Sequence, residues 1–313
     1  MTQPAPHSRI PIARRKGRHF VFLLALLLLC AAILYGDSRA VFLPKLQRGQ
    51  TLLYEIHGRL DRKVKTESRI ASIGGPQELE GDLSNQVRLT VQEVRTGKTQ
   101  WVSAQAELLP GEETQNPRFA TPVSKVSFDI VNGGQLGRVN GLEDLSPEQR
   151  MLWEFWAARF AFAWTLPHKT LKPGEKWKFE EPELSDSLIA DLVWEREVTY
   201  ARDDKCPVFP GETCAVFLTQ STLKQKSSTK DSTPEEYRLH ELRTSGTAKG
   251  ENQVITYISH RTGLVLRANE DVRQNMDVTV MKNDRTNGVH YTIDAVSHLE
   301  TLFVPPAAAA SRP

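Results

Sequence analysis

The sequence predicts a mainly antiparallel β fold, a curved sheet forming a half-barrel or barrel-like body, with one central aromatic-rich α-helix and an N-terminal membrane segment. Three observations carry this. About a dozen short stretches alternate apolar and polar residues, turn residues recur between them too closely for parallel crossovers, and a single stretch, Ser146–Leu166, switches to a period of 3.6.

The first forty residues read as an export segment. Arg9, Arg14, Arg15, Lys16 and Arg18 precede an unbroken apolar run of 16 residues from Phe20 to Tyr35, and the predicted span is 20–36. That length lies between a signal-peptide core of about 7–15 residues and a spanning helix of roughly 17–25. Two fates stay open, an uncleaved anchor or cleavage near Ala40. Ser38-Arg39-Ala40 is not Ala-x-Ala and follows the bulky Ile33, Leu34 and Tyr35, which favours the anchor. The basic end then stays in the cytoplasm, and the protein is a single-pass inner-membrane protein with its bulk in the periplasm. Cys30 follows leucines where lipoprotein processing needs a small residue. Beyond residue 40 the chain has 34 basic and 37 acidic residues, so general nucleic-acid binding is not expected.

The body, 41–304, opens with Leu52, Tyr54, Ile56, Gly58, Leu60 and Val64 at period two, one long strand with a wet face. A loop is expected over Gly74–Gly81, then a hairpin over Val87–Leu108 turning at Arg95–Lys98, and a polar connection from Pro110 to Pro122. Val126, Phe128 and Ile130 alternate up to Asn132-Gly133-Gly134, a hairpin signal, and Leu136–Val139 returns.

The helix 146–166 comes next. Ser146 can cap it, Pro147 suits its first position and Gln149 completes a capping box. Trp153, Trp156, Phe160 and Trp164 fall on one stripe, flanked by Leu152, Phe155 and Phe162; Arg150, Glu154, Ala158 and Ala161 hold a narrow opposite side. Glu154 and Arg159 argue against a membrane span here, and Pro167 ends the helix.

Pro173-Gly174 turns into a short strand with Trp177 and Phe179, and acidic residues with a short helical or loop piece fill Glu180–Asp191. Leu192, Trp194, Val198 and Tyr200 restart the alternation, with Arg196 at an inward position. Cys206 and Cys214, eight apart around a Pro-Gly turn beyond an export signal, read as a disulfide. Gln225–Glu236 is the most polar segment and is expected to be a mobile excursion. A meander is expected over Tyr237–Ala248, Val254–Ser259, Leu264–Ala268, Val272–Met281 and Val289–Ala295, with a turn at Asn283–Gly288 and a disordered tail at 305–313.

Catalytic chemistry finds no purchase. There is no Gly-x-Ser-x-Gly, no phosphate loop and no His-Glu-x-x-His, so no catalytic residue, metal or cofactor is assigned. The eight histidines are scattered, Asn283–Gly288 lacks the ligand spacing of a calcium loop, and Glu180, Glu181, Glu183 and Asp186 read as solvated charges.

GGQLGRVNG before the helix, LPHKTLKPGEKWKF after it and RTGLVLRAN near the end resemble a domain of unknown function found in uncharacterised bacterial cell-envelope families. The architecture is loosely similar to lipoprotein-carrier half-barrels, whose helices lie beneath the sheet and which bind acyl chains. That resemblance implies a lipid or other apolar ligand held between sheet and helix, with Trp153, Trp156, Phe160 and Trp164 as its candidate wall. The expectation is a non-enzymatic, membrane-anchored envelope protein. Its alternatives are a structural or assembly protein that binds another envelope component and a hydrolase of an envelope polymer.

Overall fold

The computed structural model describes residues 42–68, 77–95, 100–110, 124–145, 147–167, 169–183, 187–282 and 288–306. The chain divides after Ala40, and the body lies beyond that point. The apolar run Phe20–Tyr35, the cap at Ser146, most of the Asn283–Gly288 turn and most of the tail lie outside the described residues. No helix among the described residues is long and apolar enough to cross a membrane.

Among the described residues the body is built on one sheet of eleven antiparallel strands. The strands are β1 (Thr51–Ser68), β2 (Gln77–Arg95), β3 (Trp101–Pro110), β4 (Ser124–Ile130), β5 (Leu136–Asn140), β6 (Lys176–Pro182), β7 (Leu192–Lys205), β8 (Thr213–Gln225), β9 (Leu242–Ser259), β10 (Val265–Lys282) and β11 (Gly288–Val304). Their spatial order is β5-β4-β3-β2-β1-β11-β10-β9-β8-β7-β6. The body starts mid-sheet, steps to one edge at β5, and is carried to the opposite edge by the helix α1 (Pro147–Thr165). From β6 it steps back until β11 closes on β1, with Tyr54 opposite Phe303. All neighbours but β1 and β11 are consecutive in sequence, which is why local alternation and turn spacing are enough to predict the fold class.

The sheet curls around α1. Trp156 and Phe160 meet Tyr54 of β1 at 6.0 and 5.9 Å, Trp153 meets Phe128 of β4 at 5.8 Å, and Phe162 meets Phe217 of β8 at 5.9 Å. Strands on both sides of the seam thus touch one helix. The helix is buried nearly all round, and the narrow side opposite the aromatic stripe is where solvent reaches it: Arg150, Glu154 and Ala158 are half-buried, while Ala161 is buried.

Several boundaries differ from expectation. The loop placed at Gly74–Gly81 gives way to strand from Gln77, which pairs with Val64 because the long β1 needs backbone partners along its length. Tyr237–Leu239 belongs to a short helix, α2 (Glu235–Leu239), not to a strand. The four meander pieces from 237 to 281 are two unbroken strands, β9 and β10, each 18 residues long. Gly250 sits mid-strand in β9 because a Cβ there would lie 3.0 Å from the Trp194 ring. The polar excursion is pinned to the body: Ala190 N–H donates to Ser232, Ser232 N–H to Thr244, and Ser232 and Thr233 are buried.

Residues 42–50, for which the sequence predicts no element, strap one end of the sheet. The Phe42 ring packs edge-on against Tyr200 and Phe217 at 5.6 and 5.3 Å, and Lys45 N–H donates to Thr262. Gln100 Nε2 donates to the Pro44 carbonyl at 2.8 Å. Gly263, with φ +70°, leaves room for the Leu43 carbonyl, which any side chain would strike.

Candidate functional site

The structure brings the four aromatic candidates together on one wall. Trp153, Trp156, Phe160 and Trp164 are each no more than 2% exposed. Trp156 and Phe160 stack at 5.2 Å, Phe160 continues to Trp164 at 5.5 Å, and Tyr54, Phe128 and Phe303 close the cluster from the sheet. Each such ring removes about 150–250 Å² from water. The stripe is thus a packed core face as the chain stands here.

Polar atoms are buried in that face without hydrogen-bond partners. They are the indole N–H groups of Trp153, Trp156 and Trp164, the Tyr54 hydroxyl, and the hydroxyls of Thr219, Thr256 and Thr301. Strand register puts the threonines on the α1 side: Thr301 lies opposite Ala268, Ala268 opposite Thr256, and Thr219 opposite Val254 beside Glu270. Burial drives the Tyr54 phenol far above its ordinary pKa, so it stays protonated. An unpaired buried donor costs about 1–3 kcal/mol.

One charged group enters the same space. Arg159 of α1 meets Glu270 of β10, Nε to Oε2 at 3.2 Å, and Asn252 Nδ2 donates to the same carboxylate. Desolvation lowers the Arg159 pKa, and the Glu270 charge opposes that fall. Nearby, Arg196 occupies the inward position expected of it, donating to Glu181 at 2.6 Å and to Ser221 at 3.1 Å. This polar belt separates the aromatic cluster from a second apolar cluster of Ile189, Leu192, Trp194, Leu223, Ala248 and Val278. Its signals were in the sequence: an arginine inside an aromatic helix, and Asn252 and Glu270 interrupting two alternating runs.

The other candidates resolve more simply. Cys206 and Cys214 are disulfide-bonded, with Cα atoms 5.0 Å apart, and staple the β7–β8 hairpin. The acidic cluster is not a set of free charges: Glu180 pairs with Lys226, Glu181 with Arg196, and Glu183 accepts from Trp194 Nε1; Asp186 lies outside the described residues. His260, His290 and His298 each sit beside an aspartate, at 2.6, 3.0 and 2.7 Å. Among the described residues no group of three or more His, Cys, Asp or Glu could hold a metal ion. On the outer face a polar trough of about 1140 Å³ crosses β6 to β11, lined by outward side chains of each strand, among them Lys178, Glu197, Thr222, Arg273 and His298. A feature assembled from six strands leaves no local mark in the sequence.

Comparison with known proteins adds little. No protein-family model matches the chain, and no curated protein matches it. Among solved structures, an outer membrane channel from Pseudomonas putida F1 is similar over 86% of this chain and 98% of its own, at 9% identity and a TM-score of 0.17. A likeness that low carries no functional argument. The chain is a mostly antiparallel β protein with one open curved sheet.

Proposed function

We propose that this is a non-enzymatic, membrane-anchored envelope protein whose β-rich body takes up a lipid or similar amphiphile between the sheet and α1. The observation that carries this reading is the set of unpartnered polar atoms on the aromatic face: three indole N–H groups, one phenol and three threonine hydroxyls. A face built only for packing gains nothing from them. An amphiphile would supply acceptors to those donors while its chain replaces ring contacts with α1, which moves aside on its flanking loops. The disulfide fits an oxidising compartment, and the run Phe20–Tyr35 fits an anchor.

The test is quenching of the tryptophans by a fatty acid brominated on its chain, added to the full-length protein in neutral bilayers. Saturable quenching of the buried indoles, lost on Thr256→Val with Thr301→Val, supports uptake. Emission that stays unquenched at every concentration overturns it.

A second reading rests on the completeness of the packing. With the stripe almost wholly buried, the partner is another envelope component bound on the outer surface, where the trough across β6–β11 lies. Co-purification of one protein with a ligand-free body would favour it.

A further inference from the structure

We infer that the strapped end of the sheet, where the chain enters the body, is a docking surface for anionic lipid headgroups; the inference rests on the anchored reading of Phe20–Tyr35. Tyr35, the last residue of the apolar run, is seven residues before Phe42, so the entry point lies within roughly 25 Å of the run's end even when the link is fully extended. A bilayer that held that run would be within reach of this end of the body.

The charges at this end suit such a surface. The carboxylates of Glu93, Asp129, Glu175, Asp204 and Glu212 are each engaged by a cation of their own: Arg95, Arg138, Lys169, Arg202 and Arg261. Asp203 accepts from the Tyr200 hydroxyl and lies beside His260. Lys45, Arg48, Lys172 and Lys205 remain, all exposed and none in an ion pair among the described residues. They are the surplus positive charge, spread from the strap to the turns before β6 and after β7.

Two aromatic rings accompany them. Trp101 is half-buried between two guanidiniums, Arg95 at 4.6 Å and Arg138 at 5.6 Å from its ring centroid. Arg138 holds a left-handed φ of 46° there. Across the strap, Arg261 lies over the half-buried Phe209 ring at 5.6 Å. Tryptophan at headgroup depth beside arginine and lysine is what an interfacial contact needs, and each cation near an anionic leaflet adds attraction that salt screens.

Hydrogen exchange of the full-length chain in vesicles tests this, and flotation with phosphatidylcholine vesicles reports the anchor by itself. In vesicles containing phosphatidylglycerol, amides of residues 42–50, 169–175 and 206–212 should exchange several-fold more slowly than in pure phosphatidylcholine. The protection should disappear in high salt and in Lys45→Glu, Arg48→Glu, Lys172→Glu, Lys205→Glu, whose exchange in phosphatidylcholine should match the parent and so report an intact fold. Equal exchange in the two lipids overturns the inference. So does protection that survives the four charge reversals, or protection produced by soluble phosphate alone.

Discussion

Arg159 on α1 and Glu270 on β10 form a buried ion pair whose side chains are 8% and 4% exposed. It is the charged tie between the crossover helix and the sheet that curls round it. Removing one partner strands the other charge, so Glu270→Ala or Arg159→Ala should each cost about 3–5 kcal/mol in urea unfolding. The apolar pair Arg159→Met with Glu270→Leu should recover most of that loss. A single variant that unfolds like the parent would mean the pair carries no such role.

That pair also marks where the sequence stops being readable. Period two in Leu52, Tyr54 and Ile56, the Asn-Gly turn after Ile130 and the periodicity of Trp153, Trp156, Phe160 and Trp164 are local, and local physics fixes them. Asn252 and Glu270 break the alternation and fall in the gaps between the expected strand pieces, because the partners that explain them stand on other elements. The pairing of Tyr54 with Phe303 joins opposite ends of the body, and the strap at Phe42 gains its meaning only from Tyr200 and Phe217; neither leaves a local pattern.

Trp156 should behave as core. It is fully buried, stacked on Phe160 and in edge contact with Tyr54 and Phe128. Trp156→Ala should destabilise by about 3–5 kcal/mol and Trp156→Phe by clearly less, measured by chemical denaturation. An alanine variant with an unchanged melting temperature would mean that the ring is not packed into the core of the ligand-free protein.

The Cys206–Cys214 bridge closes a short loop. Replacing both cysteines by alanine should lower stability by about 2–3 kcal/mol without changing the fold, since the β7–β8 ladder persists beyond it. Far-ultraviolet circular dichroism and thermal melts with and without reductant test this, and a collapse of strand signal on reduction would contradict it.

Acid should loosen the excursion between β8 and β9. The Thr233 hydroxyl donates to Asp231 at 2.7 Å and, with the Thr233 N–H, holds that carboxyl below its ordinary pKa. A depressed folded pKa means the contribution is complete above the unfolded value of about 3.9 and disappears as pH falls through the folded one. Amides of residues 228–233 should therefore lose protection, taken relative to their intrinsic exchange rates at each pH, below about pH 4. In Asp231→Asn, which keeps an acceptor but cannot titrate, that acid-dependent step should vanish.

The Thr301 hydroxyl is buried at 1% exposure with no hydrogen-bond partner, on the face that meets α1. If its only role were packing, a methyl of the same size would serve better there. Thr301→Val should accordingly raise the stability of the ligand-free protein by about 1 kcal/mol, the low end of the cost of leaving a buried hydroxyl unpaired. The same substitution should weaken uptake of an amphiphile whose headgroup accepts from that hydroxyl. The two effects have opposite signs and come from one atom, so melting and brominated-lipid titration of a single variant separate them. Stabilisation with unchanged uptake would confine Thr301 to the core, and destabilisation would mean that the hydroxyl is bonded after all.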